Sequence, residues 1–362
     1  MSGSRSSSAR SERGASGPVP SFVTAAVASV LAERAGLQRV ALDDGSRAVV
    51  LTGLTGTVAV GDEVVVNTTA VELGLGTGGW HVVHWNLSRR EWYEHGPGHI
   101  MKVRYTSLQA DVGAAEEQAP SMAWPDLDGR PVIACGLHSQ IGIVAAVLKE
   151  LEPAVRVAYV MTDGAALPLA LSDLVAALRE RALLDVTITA GQAFGGELEA
   201  VATPSAIDLA VRLAGADVVV VAMGPGVVGT ASTLGTTALE VAPIVDAAAV
   251  LGGRPIVAAR TSEADPRPRH QGLSHHTTAA LRLAGRAATV GHAAGTPAFA
   301  VPPPHHVETV EVPAVGDLLA RAGIEVRSMG RGPEDDALFF ATTAAAAVVA
   351  VRSHRLRGTV LS

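Results

Sequence analysis

Apolar residues follow two different rhythms along the chain. From Phe22 to about Thr106 they come in short Val-rich runs, among them Leu37–Leu42, Ala48–Leu51 and Glu63–Asn67. The turns Ala35-Gly36, Asp43-Asp44-Gly45-Ser46 and Gly61-Asp62 separate them. Asp-Gly and Gly-Asp turns between short runs at regular spacing predict a small antiparallel β-barrel. From Arg130 the rhythm lengthens. Strands at Pro131–Cys135, Val155–Met161, Val186–Thr189, Val218–Ala222 and from Pro255 alternate with helical stretches. These are Ile141–Leu151, a helix around Leu169–Leu183, Thr203 to about Ala214, and the Ala/Thr/Leu/Val stretch ending at Gly252-Gly253. Such alternation predicts parallel βαβ units and a doubly wound sheet. A last strand–helix–strand is expected over Val307–Val312, Val315–Ala322 and Ile324–Ser328. A final helix is expected over Glu334–Val351, with Glu334, Asp335 and Asp336 in its first turn.

The fold class expected is therefore α/β: a small antiparallel β-barrel followed by a doubly wound, mostly parallel, Rossmann-like sheet. The expected boundaries are a disordered Ser/Arg/Gly-rich tail over 1–20, a barrel over 21–110, an acidic, Pro-containing linker over 111–130 and the α/β domain over 131–362. Right-handed crossovers put the strand-to-helix loops 136–140, 162–168, 190–196, 223–230 and 260–276 along one rim, where ligands of such sheets bind.

Composition narrows the partners. The chain has 362 residues, 48% hydrophobic and only 3% aromatic, so Ala, Val and Leu must build the core. A net charge of −7 argues against nonspecific binding to nucleic acid or an anionic membrane. Cys135 is the single cysteine, which fits a reducing, cytoplasmic setting. No apolar run approaches the roughly 20 residues of a membrane helix.

The candidate chemistry lies on the rim. Gly224-Pro225-Gly226-Val227-Val228-Gly229-Thr230 follows a strand and satisfies a dinucleotide glycine pattern. Arg260, however, stands where an acid would hold a ribose; it could hold a phosphate or pair with Glu263 or Asp265. The cofactor stays unknown, with a nucleotide or dinucleotide admitted. Gly136-Leu137-His138-Ser139-Gln140 is a second strand-to-helix loop. Ser139 reads either as a helix cap or, with His138, as a ligand to a substrate anion. Ser274-His275-His276 offers a possible base near neutral pH, with Asp163 or Glu263 as its orienter. With His270 and His305-His306 it could also hold a metal, although the sequence places no acidic ligand there. His81, His84, His95 and His99 match no common zinc spacing, and no metal is assigned. The expected catalytic set is His275, His276 and Asp163. The expected ligand-binding set is Gly136, His138, Ser139, Gln140, Gly224, Gly226, Gly229, Thr230, Arg260 and Ser274.

In combination, Gly61-Asp62 with Asn67-Thr68-Thr69-Ala70, the glycine run Leu73–Gly79, Gly136–Gln140, Gly224–Thr230 and Gly272–Thr277 resemble a bacterial, actinobacterial-type family known only as domain of unknown function 3866. The resemblance covers nearly the whole chain after the tail and implies no activity. Two functions remain open. One is an enzyme acting on a small anionic or nucleotide-like molecule at the sheet rim. The other is a non-catalytic ligand-binding or scaffold protein using the barrel as a docking module.

Overall fold

Strand β1 (Phe22–Arg34) is long enough to pair twice. It runs antiparallel to β2 (Leu37–Leu42) through its second half and to β4 (Glu63–Asn67) through its first. β3 (Arg47–Val50) lies antiparallel to β2. β5 (Trp80–Asn86) lies antiparallel to β4 and parallel to β3, which closes a five-stranded barrel. The single parallel pair follows from the path: β3 and β5 each oppose a strand that runs down, so both run up. Alternate residues fill the interior, with Val27, Val40, Ala48, Val64, Val66 and Val83 all buried and no aromatic among the core residues. Gly45 and Gly61 take the positive φ that these hairpin turns require. His84 stacks on Phe22 at 5.1 Å.

The computed structural model describes residues 20–360, so the expected tail lies almost wholly outside the described residues. It divides into two compact units, one ending at Tyr93 and one starting at Glu94. The second unit opens with a small hairpin, β6 (Met101–Lys102) and β7 (Ala110–Asp111). Lys102 is buried. Its Nζ donates to Thr189 O, to Ala193 O and to Glu199 Oε2 at 2.7 Å. Residues 111–130 are packed in part: Ala114, Ala115 and Leu127 are buried and Leu127 N–H donates to Leu251 O, whereas residues 121–124 are exposed.

The main sheet has eight parallel strands. They are β8 (Pro131–Cys135), β9 (Val157–Thr162), β10 (Val186–Thr189), β11 (Leu198–Glu199), β12 (Val218–Met223), β13 (Arg254–Ala258), β16 (Thr289–Ala293) and β17 (His306–Val310). Their order is β11-β10-β9-β12-β8-β13-β16-β17. A two-residue pair, β14 (Thr261–Ser262) with β15 (Gly272–Leu273), stands apart. Alternate residues of β12 serve opposite layers. Val218, Val220 and Ala222 face the helices Gln140–Leu151, Val315–Arg321 and Ala337–Val360, whereas Val219 and Val221 face Thr203–Arg212, Val241–Val250 and His275–Leu283. Strands covered on both faces read as unbroken apolar runs, as this one does. Cys135 is buried in the first layer, where burial pushes its thiol far above its ordinary range.

Several expected elements are corrected. The glycine loop does not lead straight into a helix: residues 224–236 are irregular, a 3₁₀ turn spans Thr237–Glu240 and the helix begins at Val241. The Leu169–Leu183 stretch splits into a 3₁₀ turn and the helix Asp173–Glu180, because Ser172 Oγ caps Val175 N. Ile324–Ser328 joins no sheet. The last helix starts at Ala337, after the acids; Asp336 instead accepts from Ser262 Oγ and Arg331 Nε. That helix is long and apolar enough to cross a membrane, but most of its apolar span is buried against the sheet of this unit.

Candidate functional site

β8 and β12 are hydrogen-bonded neighbours, in register from Val132↔Val219 to Cys135↔Ala222. The chain leaving β8 turns to the helix on one face and the chain leaving β12 to the helix on the other. The two exits therefore part and leave a crevice, the switch point at which open α/β sheets take ligands. A cleft of about 280 Å³ opens there. Leu137, His138, Ser139, Pro225, Gly226 and Val227 line it, together with the ion pair of Glu325 and Arg327 at 2.7 Å.

The first loop is held from below. Gln140 is fully buried; its Oε1 accepts from Leu137 N and its Nε2 donates to Ala258 O at 2.9 Å. It is a staple and does not face the cleft. His138 has both ring nitrogens engaged, Nδ1 with Met223 O at 3.0 Å and Nε2 with Ser172 Oγ at 2.7 Å. Burial lowers its pKa to about 4, opposed by the Met223 carbonyl. Ser139 occupies the helix N-cap, yet its side chain makes no capping bond and so keeps a free hydroxyl at the cleft. Gly136 lies under Ala238 and Val241.

The folded chain holds His138 neutral over a range in which an unfolded chain protonates it. Stability contributed by this imbalance is present above about pH 6.5 and is lost as pH falls towards about 4, by about 3 kcal/mol for this one imidazole. Denaturant midpoints at pH 7 and pH 4.5 should differ less in His138→Gln than in the unaltered chain; equal differences would reject the assignment. Glu240 acts with the opposite sign. Burial raises its carboxyl to about 7, against the Thr162 hydroxyl that donates to Oε2 at 2.7 Å, so its stabilising contribution fades as pH rises through 7. Glu240 Oε1 is buried without a partner. Nothing local in the sequence marks Glu240: it ends a 3₁₀ turn capped by Thr236 and precedes the helix at Val241.

The glycine loop does different work at each position. A Cβ on Gly224 would meet Ala166 O at 2.4 Å, so that glycine is imposed by close backbone approach. Gly226 takes φ +102° beside open space. Gly229 bridges to Thr236, and Thr230 closes the exposed tip by donating its N–H to Gly235 O. The loop is thus a folded-back excursion, and its amides do not form the first turn of a helix.

Asp163 is exposed and accepts from Gln192 N at 2.9 Å. It follows β9, whereas His275 and His276 follow β13, three strand spacings or about 14 Å along the sheet edge. Asp163 is therefore not brought to the histidines. The acid on their side is Asp265, fully enclosed and paired with Arg260 at 3.1 Å, Arg267 at 2.8 Å and Arg331 at 3.4 Å. Arg260 thus takes the ion pair expected as its alternative role.

Ser274 caps the helix His275–Leu283, its Oγ accepting from His276 N, and it also meets His270 Nδ1 at 2.8 Å. The rings of His270, His275 and His276 lie 4.3 to 5.0 Å apart, centre to centre. Burial, aided by Arg260 and Arg267, holds His270 at about 3; burial, aided by His275 and Arg260, holds His276 at about 4. His305 is elsewhere, bonded to Leu281 O, and His306 meets Thr289.

The family model described as Protein of unknown function (DUF3866) matches residues 47–347. No curated protein matches the chain.

Proposed function

We propose, from the premise that this chain belongs to the family described as a protein of unknown function, DUF3866, that it binds a small anionic, nucleotide-like molecule at the carboxyl rim of its parallel sheet. One observation carries the reading: the cleft lies at the switch point between β8 and β12, at the start of the twelve-residue helix Gln140–Leu151. The first two amides of that helix donate to Leu137 O and His138 O, so what favours an anion there is the positive end of the helix dipole. The uncommitted Ser139 hydroxyl supplies a donor, and Arg327 a guanidinium that the anion would share with Glu325, its ion-pair partner at 2.7 Å. His138, with both nitrogens committed, orients the loop and is no base. Any proton transfer on this rim falls to Glu240, whose carboxyl is half-protonated near neutral pH.

Ser139→Asp tests this with little disturbance of the helix, since the Ser139 side chain makes no capping bond to lose and an acid suits a helix start. Pyrophosphate and adenosine monophosphate should stabilise the unaltered chain, by about 2–3 kcal/mol at a hundred times the dissociation constant. The added carboxylate should abolish that gain. Equal stabilisation of both proteins would place the anion elsewhere. No stabilisation by either compound would favour the scaffold reading, for which the barrel offers exposed Phe22, Val23 and Leu31 along β1.

A further inference from the structure

Three imidazoles meet where the 3₁₀ turn Pro268–His270 faces the first turn of the helix His275–Leu283. We propose that His270, His275 and His276 form a mononuclear site for a divalent transition metal of the zinc class, with an open coordination position towards Gly229. The inference concerns a different site from the anion cleft and does not depend on it.

The donor atoms converge: one ring nitrogen from each histidine lies within 4.8 Å of the others. Nitrogens around one tetrahedral zinc stand about 3.3 Å apart at bond lengths of about 2.0–2.1 Å, so small side-chain rotations complete the shell. Two nitrogens are unused. His275 Nε2 and His276 Nε2 are buried without any hydrogen-bond partner, and His276 is only 5% exposed. An unpaired polar atom in that position costs free energy that a metal bond would recover.

Two of the three rings are anchored on their other side, as metal-binding imidazoles usually are. His270 Nδ1 meets Ser274 Oγ at 2.8 Å and His276 Nδ1 meets Thr236 Oγ1 at 3.4 Å. In the tautomer in which each Nδ1–H donates to its hydroxyl, Nε2 carries the lone pair. Ser274 does two jobs at once, capping the helix that carries two of the ligands and steadying the third.

Gly229 leaves the His276 nitrogen accessible on its side. A Cβ there would stand 3.0 Å from His276 Cε1 and 3.3 Å from its Nε2, so any side chain would crowd the nitrogen. Three imidazoles with one open position are the pattern of reactive rather than structural zinc sites. Arg260, Arg267 and Arg269 outnumber Asp265 around the three rings, which opposes a bare dication and favours one carrying an anionic fourth ligand such as hydroxide.

Cobalt(II) is the probe. The full chain, stripped with chelator, should bind one equivalent of Co²⁺ and develop visible d–d absorption that Zn²⁺ bleaches. His275→Asn, at the least buried of the three positions, should retain its circular dichroism and lose the band, and His270→Asn should lose it as well. A His81→Asn/His84→Asn double variant in the barrel should keep the band. Ser274→Ala should weaken Co²⁺ about 10- to 100-fold, the usual effect of removing a ligand's anchor. Absence of the band in the unaltered chain, or its survival in a folded His275→Asn variant, would overturn the proposal.

Discussion

Replacing Asp265 by alanine is expected to cost about 3–5 kcal/mol of folding stability, because it leaves guanidinium charge buried without its partner. The carboxylate is fully enclosed. Oδ2 receives Arg260 Nη2, Arg267 Nη2 and Arg331 Nη2, and Oδ1 receives Arg267 Nε and Arg267 N. The Arg267 hydrogen bonds lead the causes that hold its pKa far below the usual carboxylate range. Arg260 is itself buried and cannot turn to water once the acid has gone. Arg267, by contrast, is about a third exposed, so Arg267→Gln should cost much less. Urea denaturation of the two variants measures the difference. If both unfold at the same midpoint, the charge network is not what orders residues 260–270.

Gly291→Val should be nearly as damaging, by about 3 kcal/mol or more, through overpacking. Gly291 sits in β16 against the helix Ala337–Val360. A Cβ there would stand 2.5 Å from Ala346 N and 2.7 Å from Ala345 C. Those are backbone atoms of a buried helix, so no side chain can swing aside to admit the new group. Gly226→Val, whose Cβ meets open space, provides the contrast: its penalty is confined to the positive φ of the loop. A thermal melt in which Gly291→Val is no less stable than Gly226→Val would contradict the packing account.

The two rhythms of apolar residues carried most of the architecture, because a strand buried on both faces and a hairpin strand leave different traces in sequence. Order across the sheet left none. That is why Asp163 could be paired on paper with His275 and His276, whereas β12 and β8 stand between β9 and β13. The stretch 224–236 misled for another reason: its residues suit helices and loops alike, and the Gly229–Thr236 bridge that folds it back is a single local contact. The Ser274–His276 cluster was legible as a helix start, since an N-cap is a matter of adjacent residues. Its third member, His270, is brought in by a 3₁₀ turn whose geometry no periodicity announces. Glu240 left no trace in the sequence because its character comes from burial, whereas Asp265 was legible only as one possible partner of Arg260, since its arginine shell is assembled from distant positions.

Lys102 has a bearing on aggregation. An exposed sheet edge invites another chain to add a strand, and β11, with only two residues, is the short margin of an otherwise long parallel sheet. The ammonium reaches from the β6–β7 hairpin to the last residues of β10 and β11, where Thr189 O, Ala193 O and Glu199 Oε2 accept from it. Those contacts pin the ends of the two outermost strands together. One lysine thus resists the fraying that would lay the shortest strand open to a visitor.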